Sequence, residues 1–256
     1  VSVSTDLVGT SGTVAVVTMR WPGKRNSLSP EDGDALTAAI TAAGADPSVT
    51  GLVLTGEGAF CSGGDLRAFA ELSRTTPSDE VHLTVYGRMQ AIVRALRDCP
   101  VPTVAAVDGP AIGLGLDLAL ACDMRFVGPR GYLMQGWARA GLVHGVGGVP
   151  LLERVAPGLL WRLVAEQEKL GPVECAALDL GEVGEPDALT AATTRIEKLA
   201  PVARDVLAHY VTLSRMASWP AEEQFEAAGR IQGGLIGSQR FRDLTEQVLG
   251  ADAGRS

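Results

Sequence analysis

Histidine is scarce in this chain, with three residues in 256, and there is neither an HxxxH pair nor a Cys/His cluster. Those gaps remove the ordinary ligand sets for zinc, so no catalytic metal is expected. The four cysteines, Cys61, Cys99, Cys122 and Cys175, are widely spread with no CxxC pair, which points to reduced thiols rather than a disulfide framework. No run of 18 apolar residues occurs, so no membrane span is expected. The opening VSVSTDLVGTSGT has neither the basic start nor the apolar stretch of a signal peptide, and the expected location is cytoplasmic. A GxxxxGK[ST] phosphate loop is missing, and in GLGLDL (113–118) Leu118 stands where a dinucleotide fingerprint needs its third glycine. No nucleotide cofactor is therefore expected. The net charge of −8 and pI near 5.0 disfavour nucleic acid or an anionic membrane as partner.

The chain does have apolar strands followed by glycine turns, at 46% hydrophobic content. Val101–Val107 is a β-branched run that ends at Asp108-Gly109-Pro110 and passes through Gly113-Leu114-Gly115 into an apolar helix. Val14–Met19, Gly51–Thr55 and Met124–Val127 read as further strands, and a glycine-rich turn at 141–149 leads into another helix. Ser29-Pro30-Glu31-Asp32 supplies an N-cap, a proline at the first helical position and an acidic third position for a helix to about Ala43. Helical spacing over Ser78–Asp98 follows, then helices over Glu174–Leu180, Ala188–Arg215 and Ala221–Leu249. This pattern predicts an α/β fold with buried, largely parallel strands. Residues 1–195 are expected to form its core and 196–256 a helical arm suited to packing against another subunit.

Four side chains carry candidate chemistry. Asp117 sits among Leu114, Leu116, Leu118 and Leu120, where a carboxylate is costly to bury unless it is paired or used. It could equally cap the backbone of its own helix. His144 lies in the 141–149 turn, as a general acid or base or as a loop residue bonded to backbone. Ser62 stands in Cys-Ser-Gly-Gly, but Phe60 replaces the first glycine of a nucleophile elbow, which favours a tight-turn role. His82 near a helix start is a weaker candidate, and His209 reads as surface or interface.

Taken in order, Arg25-Asn26-Ser27-Leu28, LTGEGAFCSGGDL (54–66) and PTVAAVDGPAIGLGLDLALACDMRF (102–126) resemble the enoyl-CoA hydratase/isomerase (crotonase) family. The likeness continues through Gln135–Gly148 and weakly to Leu180–Gly184. It implies a crotonase-like spiral of ββα units with a C-terminal helical trimerisation region, in a homotrimer or a dimer of trimers. It also implies a thioester substrate on coenzyme A, with no separate cofactor. The backbone donors to the thioester oxygen fall at Gly64 and Leu114. The implied substrate-binding positions are Lys24, Arg25, Ser27, Leu28, Ser62, Gly63, Asp65, Leu66, Gly113 and Trp137, with Lys24 and Arg25 supplying positive charge to the coenzyme.

Three departures shape the expected activity. Asp117 stands where family hydratases place a glutamate, and Trp137 where they place the second. His144 replaces a common proline. Without the second carboxylate, ordinary hydration is not favoured. Proton abstraction or isomerisation with Asp117 as acid/base is the leading expectation, with Trp137 shaping the acyl pocket. The alternatives are a non-catalytic acyl-CoA binder and a hydrolase or C–C lyase that uses His144.

Overall fold

The pleat of a strand sends successive residues of each apolar run to opposite faces of one sheet. The computed structural model describes residues 3–10 and 13–253. β1 (Val3–Val8) pairs antiparallel with β2 (Thr13–Met19), and β3 (Val49–Gly56) and β4 (Thr103–Val107) then add in parallel. Two short strands, β5 (Pro110–Ile112) and β7 (Tyr132–Met134), pair with each other in parallel. The main sheet is completed by β6 (Met124–Val127) and β8 (Glu182–Val183), in the order β1-β2-β3-β4-β6-β8. Val14, Val16, Val53, Val104 and Ala106 face one layer, while Ala15, Val17, Leu54, Ala105 and Val107 face the larger core. Burial on both faces is why these strands read as continuous apolar runs.

The helices in chain order are α1 (Pro30–Ala45), α2 (Leu66–Thr75) and α3 (Ser78–Val81), which continues through a π-helical turn (His82–Tyr86) into α4 (Gly87–Asp98). Then come α5 (Leu114–Ala121), α6 (Gly148–Val155), α7 (Leu160–Glu166), α8 (Pro172–Ala177) and α9 (Ala188–Glu197). The last three are α10 (Arg204–Ser218), α11 (Glu222–Ile236) and α12 (Gln239–Ala253). α1 starts with the expected reciprocal cap: the Asp32 amide donates to Ser29 Oγ at 3.3 Å and the Ser29 amide to Asp32 Oδ2 at 2.9 Å. All eight residues of α5 are buried, Asp117 among seven apolar neighbours.

Two expected helices are each broken. The stretch read as Ala188–Arg215 forms α9 and α10, because Pro201 lacks an amide hydrogen and clashes with a continuing helix. The stretch read as Ala221–Leu249 forms α11 and α12, parted at Gly237-Ser238, where Ser238 Oγ caps the Phe241 amide at 3.2 Å. α9 closes one face of the sheet with Ala188, Ala192 and Ile196. α10 turns Leu207, Val211 and Arg215 inward and leaves Val206, Tyr210, Leu213 and Met216 exposed. Among the described residues, no helix is long and apolar enough to cross a membrane.

Candidate active site

Two parallel segments bring a pair of backbone amides to one level. The Cys61 amide donates to Pro110 O at 3.0 Å and the Ile112 amide to Cys61 O at 2.9 Å, which pairs Cys61 with Ala111. Gly64 and Leu114 each lie three residues beyond that pair. Leu28 flanks the first segment, donating to Gly63 O at 3.0 Å and accepting from the Asp65 amide at 2.9 Å. The Gly64 amide between them is left without a partner among the described residues. The Gly113 amide donates to Met134 O at 3.1 Å, and the next amide, Leu114, begins α5 likewise without one. The two segments touch closely: a Cβ on Gly115 would lie 2.1 Å from Cys61 O. Two free amides, one at a helix start, have the chemistry to receive an oxygen that gains negative charge.

Asp117 lies beyond the first three residues of α5, and its side chain caps no backbone amide among the described residues. Fully buried, it accepts the Trp137 indole Nε1–H on Oδ2 at 3.0 Å and faces His144 Nδ1 from Oδ1 at 2.6 Å. The capping alternative is thereby replaced by a side-chain relay. Gln135 fixes the tautomer of His144. Its Oε1 accepts the Ala138 amide at 3.3 Å, so its Nε2 is the atom that faces His144 Nε2 at 3.4 Å. His144 therefore carries its proton on Nδ1, toward Asp117, and keeps a lone pair on Nε2. This contact requires Gly148 at the start of α6, where a Cβ would sit 2.0 Å from Asp117 Oδ1 and 2.4 Å from His144 Nδ1. The Trp137 ring also packs on Gly113, where a Cβ would lie 3.4 Å from it, linking the relay to the amide pair.

Trp137→Phe keeps most of that ring but strips Asp117 Oδ2 of its donor inside the core. The expected loss is about 1–3 kcal/mol of folding stability, read by urea unfolding. An unchanged midpoint and slope would show that the indole bond contributes nothing.

Lys24 Nζ is held by Asp32 and, at 3.2 Å, by Asp65 Oδ2, so its charge is already neutralised. Burial works against its charged form, but those two carboxylates outweigh burial and raise its pKa. Asp65 is committed further, as the N-cap of α2 that accepts the Arg67 amide at 3.0 Å and the Ala68 amide at 3.3 Å. Arg25 is exposed in a left-handed conformation (φ 51°), and its side chain has no ion-pair partner among the described residues. It is the cation this loop still offers. Ser62 serves the turn, with its amide on Arg25 O at 3.1 Å and its hydroxyl on Lys24 O at 3.3 Å. The Ser27 amide donates to Lys24 O at 3.0 Å, Leu28 is wholly buried, and Leu66 is a half-buried first residue of α2.

Cys61 is ruled out as a nucleophile, since burial pushes its thiol up to about 12. All four cysteines are free and buried. His82 packs beside Gly233 and His209 is exposed on α10. The described residues contain no group of three or more His, Cys, Asp or Glu side chains able to hold a metal.

Sequence reasoning missed the supports. Asn26 is fully buried; it accepts the Trp21 amide at 2.7 Å and donates to Ala59 O at 2.7 Å, locking the 21–28 loop to the turn that carries Gly64. Gln90 Nε2 donates to Gly145 O at 2.8 Å and Phe225 O at 2.7 Å, which anchors the His144 loop to α11. A polar residue on the buried face of a helix was the available signal for Gln90, and a glutamine beside Trp137 the signal for Gln135.

Comparison with known proteins gives a consistent family signal. A family model described as Enoyl-CoA hydratase/isomerase matches residues 9–226. A probable enoyl-CoA hydratase of Rhodobacter capsulatus is 32% identical over 244 residues, covering 92% of this chain and 91% of that protein. The probable enoyl-CoA hydratase EchA14 of Mycobacterium tuberculosis is 39% identical over 142 residues, and that match spans about half of each protein, 55% of this chain and 54% of the relative. Among solved structures, an enoyl-CoA hydratase from Bacillus halodurans superposes with a TM-score of 0.86 at 22% identity, covering 96% of this chain and 100% of that one. A putative enoyl-CoA hydratase from Mycobacterium avium paratuberculosis K-10 does so at 0.81 with 26% identity and 97% of both chains.

Proposed function

The chain belongs to the enoyl-CoA hydratase/isomerase family, and we propose that it moves a proton at the carbon next to the carbonyl of an acyl-CoA thioester. The observation that carries this reading is the buried relay Trp137–Asp117–His144–Gln135 lying against two unpaired amides. The thioester oxygen would bind between the Gly64 and Leu114 amides. As the α-proton leaves, charge builds on that oxygen, and each amide contributes on the order of 2.7–4 kcal/mol to the transition state. Asp117 acts as the acid/base: its carboxylate accepts the α-proton and returns it, while the bonds from His144 and Trp137 hold it in place. Water addition would need a second ionisable group to hold and activate water. Trp137 has none, and its N–H is already spent on Asp117. Double-bond isomerisation suits these groups better than hydration.

The test is incubation of saturated, 2-enoyl and 3-enoyl CoA esters with the protein in D2O, followed by mass spectrometry. Deuterium at the α-carbon, with double-bond shift in the enoyl esters, is expected. Release of free coenzyme A without exchange would instead mark hydrolysis. A second reading, a non-catalytic acyl-CoA binder, draws on the complete burial of Asp117 with both carboxylate oxygens engaged. Tight calorimetric binding with no isotope exchange into any ester would select it.

Assembly into a homotrimer, or a dimer of trimers, draws support from the apolar stripe Val206, Tyr210, Leu213 and Met216, exposed by 40–79% on α10. Sedimentation equilibrium is expected to give a multiple of three protomers; a monomer at micromolar concentration would exclude it.

A further inference from the structure

Behind His144 lies a second chemical feature that the relay does not use. A cavity of about 560 Å³ opens between the 143–150 segment, α6 and α11. Its walls are apolar at Val143, Val149, Ala227 and Ile231, and His144 forms part of them. The cationic group in the lining is Arg154, on α6. Six residues separate Gly148, which touches the relay, from Arg154, a rise of about 9 Å along the helix.

Arg154 lacks a counter-charge. Its Nε–H donates to Ser218 Oγ at 3.1 Å, and its guanidinium stacks over the Trp219 ring at 5.2 Å, both neutral partners. Its Nη1 is buried with no hydrogen-bond partner, and it forms no ion pair among the described residues. Asp123, whose charge acts on Arg154, is engaged by Arg215 at 3.1 and 2.6 Å, and Arg215 itself repels Arg154. Glu153 also borders the cavity but turns its Oε2 to the Gly158 amide at 3.1 Å. Partial burial lowers the Arg154 pKa from the usual arginine value, and the attraction of Asp123 does not offset it. A half-buried guanidinium whose Nη1 finds no partner is a costly feature unless a ligand completes it.

Building on the acyl-CoA reading, we propose that this cavity takes the far end of the acyl chain and that Arg154 binds a carboxylate there. The preferred substrate is then a thioester whose acyl chain ends in a second, ionised carboxyl group. The forked guanidinium fits such a group with paired hydrogen bonds, and the apolar walls between His144 and Arg154 suit the methylenes in between.

Calorimetric titration of the full chain with glutaryl-CoA and adipyl-CoA, each against the neutral ester of the same length, valeryl-CoA and hexanoyl-CoA, tests this directly. At least one carboxylate-ended ester is expected to bind about tenfold tighter, or more, than its neutral counterpart. Arg154→Met is expected to erase that preference and Arg154→Lys to retain part of it. The wild-type comparison needs no variant to fold. Equal affinities for both ester pairs in the wild-type chain, or a preference that survives in Arg154→Met, overturns the proposal while leaving the acyl-CoA reading intact. Absence of binding by all four esters would defeat the acyl-CoA reading, and this proposal with it.

Discussion

Asp117→Asn is expected to lower turnover by roughly 100- to 10,000-fold, the range ordinarily supplied by a positioned acid–base group. The substitution does more than remove a charge. An asparagine oxygen can still accept the Trp137 indole N–H, but its amide nitrogen would then donate to His144 Nδ1. That reverses the tautomer and puts the histidine proton on Nε2, where it meets the donor Nε2 of Gln135. Gln135 cannot easily rotate to accept it, because its Oε1 is held by the Ala138 amide. The carboxylate proposed to receive the α-proton is lost and the neighbouring bond becomes repulsive. Ester affinity should change little, since the amide pair and Arg25 are untouched. Turnover and deuterium incorporation measured at saturating ester separate the two; an unchanged rate would remove Asp117 from the chemistry.

Arg215→Met is expected to cost about 3–5 kcal/mol of folding stability, because it leaves a half-buried carboxylate without its cation and a buried carbonyl without its donor. Arg215 is 5% exposed and ties α10 to the core. Its Nε and Nη2 donate to Asp123 at 3.1 and 2.6 Å, and its Nη1 to Cys99 O at 2.6 Å and to Arg97 O. Asp123 in turn accepts the Thr103 amide and hydroxyl, both at 2.8 Å, at the start of β4. The arginine thus fastens the helical arm to the strand that leads into α5. Methionine matches the stem but satisfies none of these acceptors. Urea unfolding checks the value, and a loss below about 1 kcal/mol would mean that the pair behaves like an exposed salt bridge.

How much of this could be read from residues alone depended on sequence distance. The Ser29–Asp32 cap, the apolar strands and the turn into α5 are local, and each has the residue types its geometry needs. The breaks at Pro201 and Gly237-Ser238 were hidden because apolar positions continue on both sides of each. β5 and β7 are three residues each, too short to display a strand period. Within the site, Asp117 was conspicuous as a lone carboxylate in an apolar helix. Its partners lie 20 and 27 residues away, and nothing in the spacing reveals that a tryptophan in place of a carboxylate would become its hydrogen-bond donor. The pairing of Lys24 is hidden for the same reason, since Asp65, one of its two carboxylate partners, lies 41 residues away. Arg154 drew no notice in the sequence because only the fold reveals that no carboxylate among the described residues pairs with it.

A crystal structure with an unreactive acyl-CoA analogue would locate the thioester relative to the amide pair and the relay. The thioester oxygen is expected at about 2.7–3.1 Å from both the Gly64 and Leu114 nitrogens, with the α-carbon facing the Asp117–His144 pair. A thioester bound elsewhere, or an α-carbon shielded from that pair by the Trp137 ring, would contradict the proposed proton transfer.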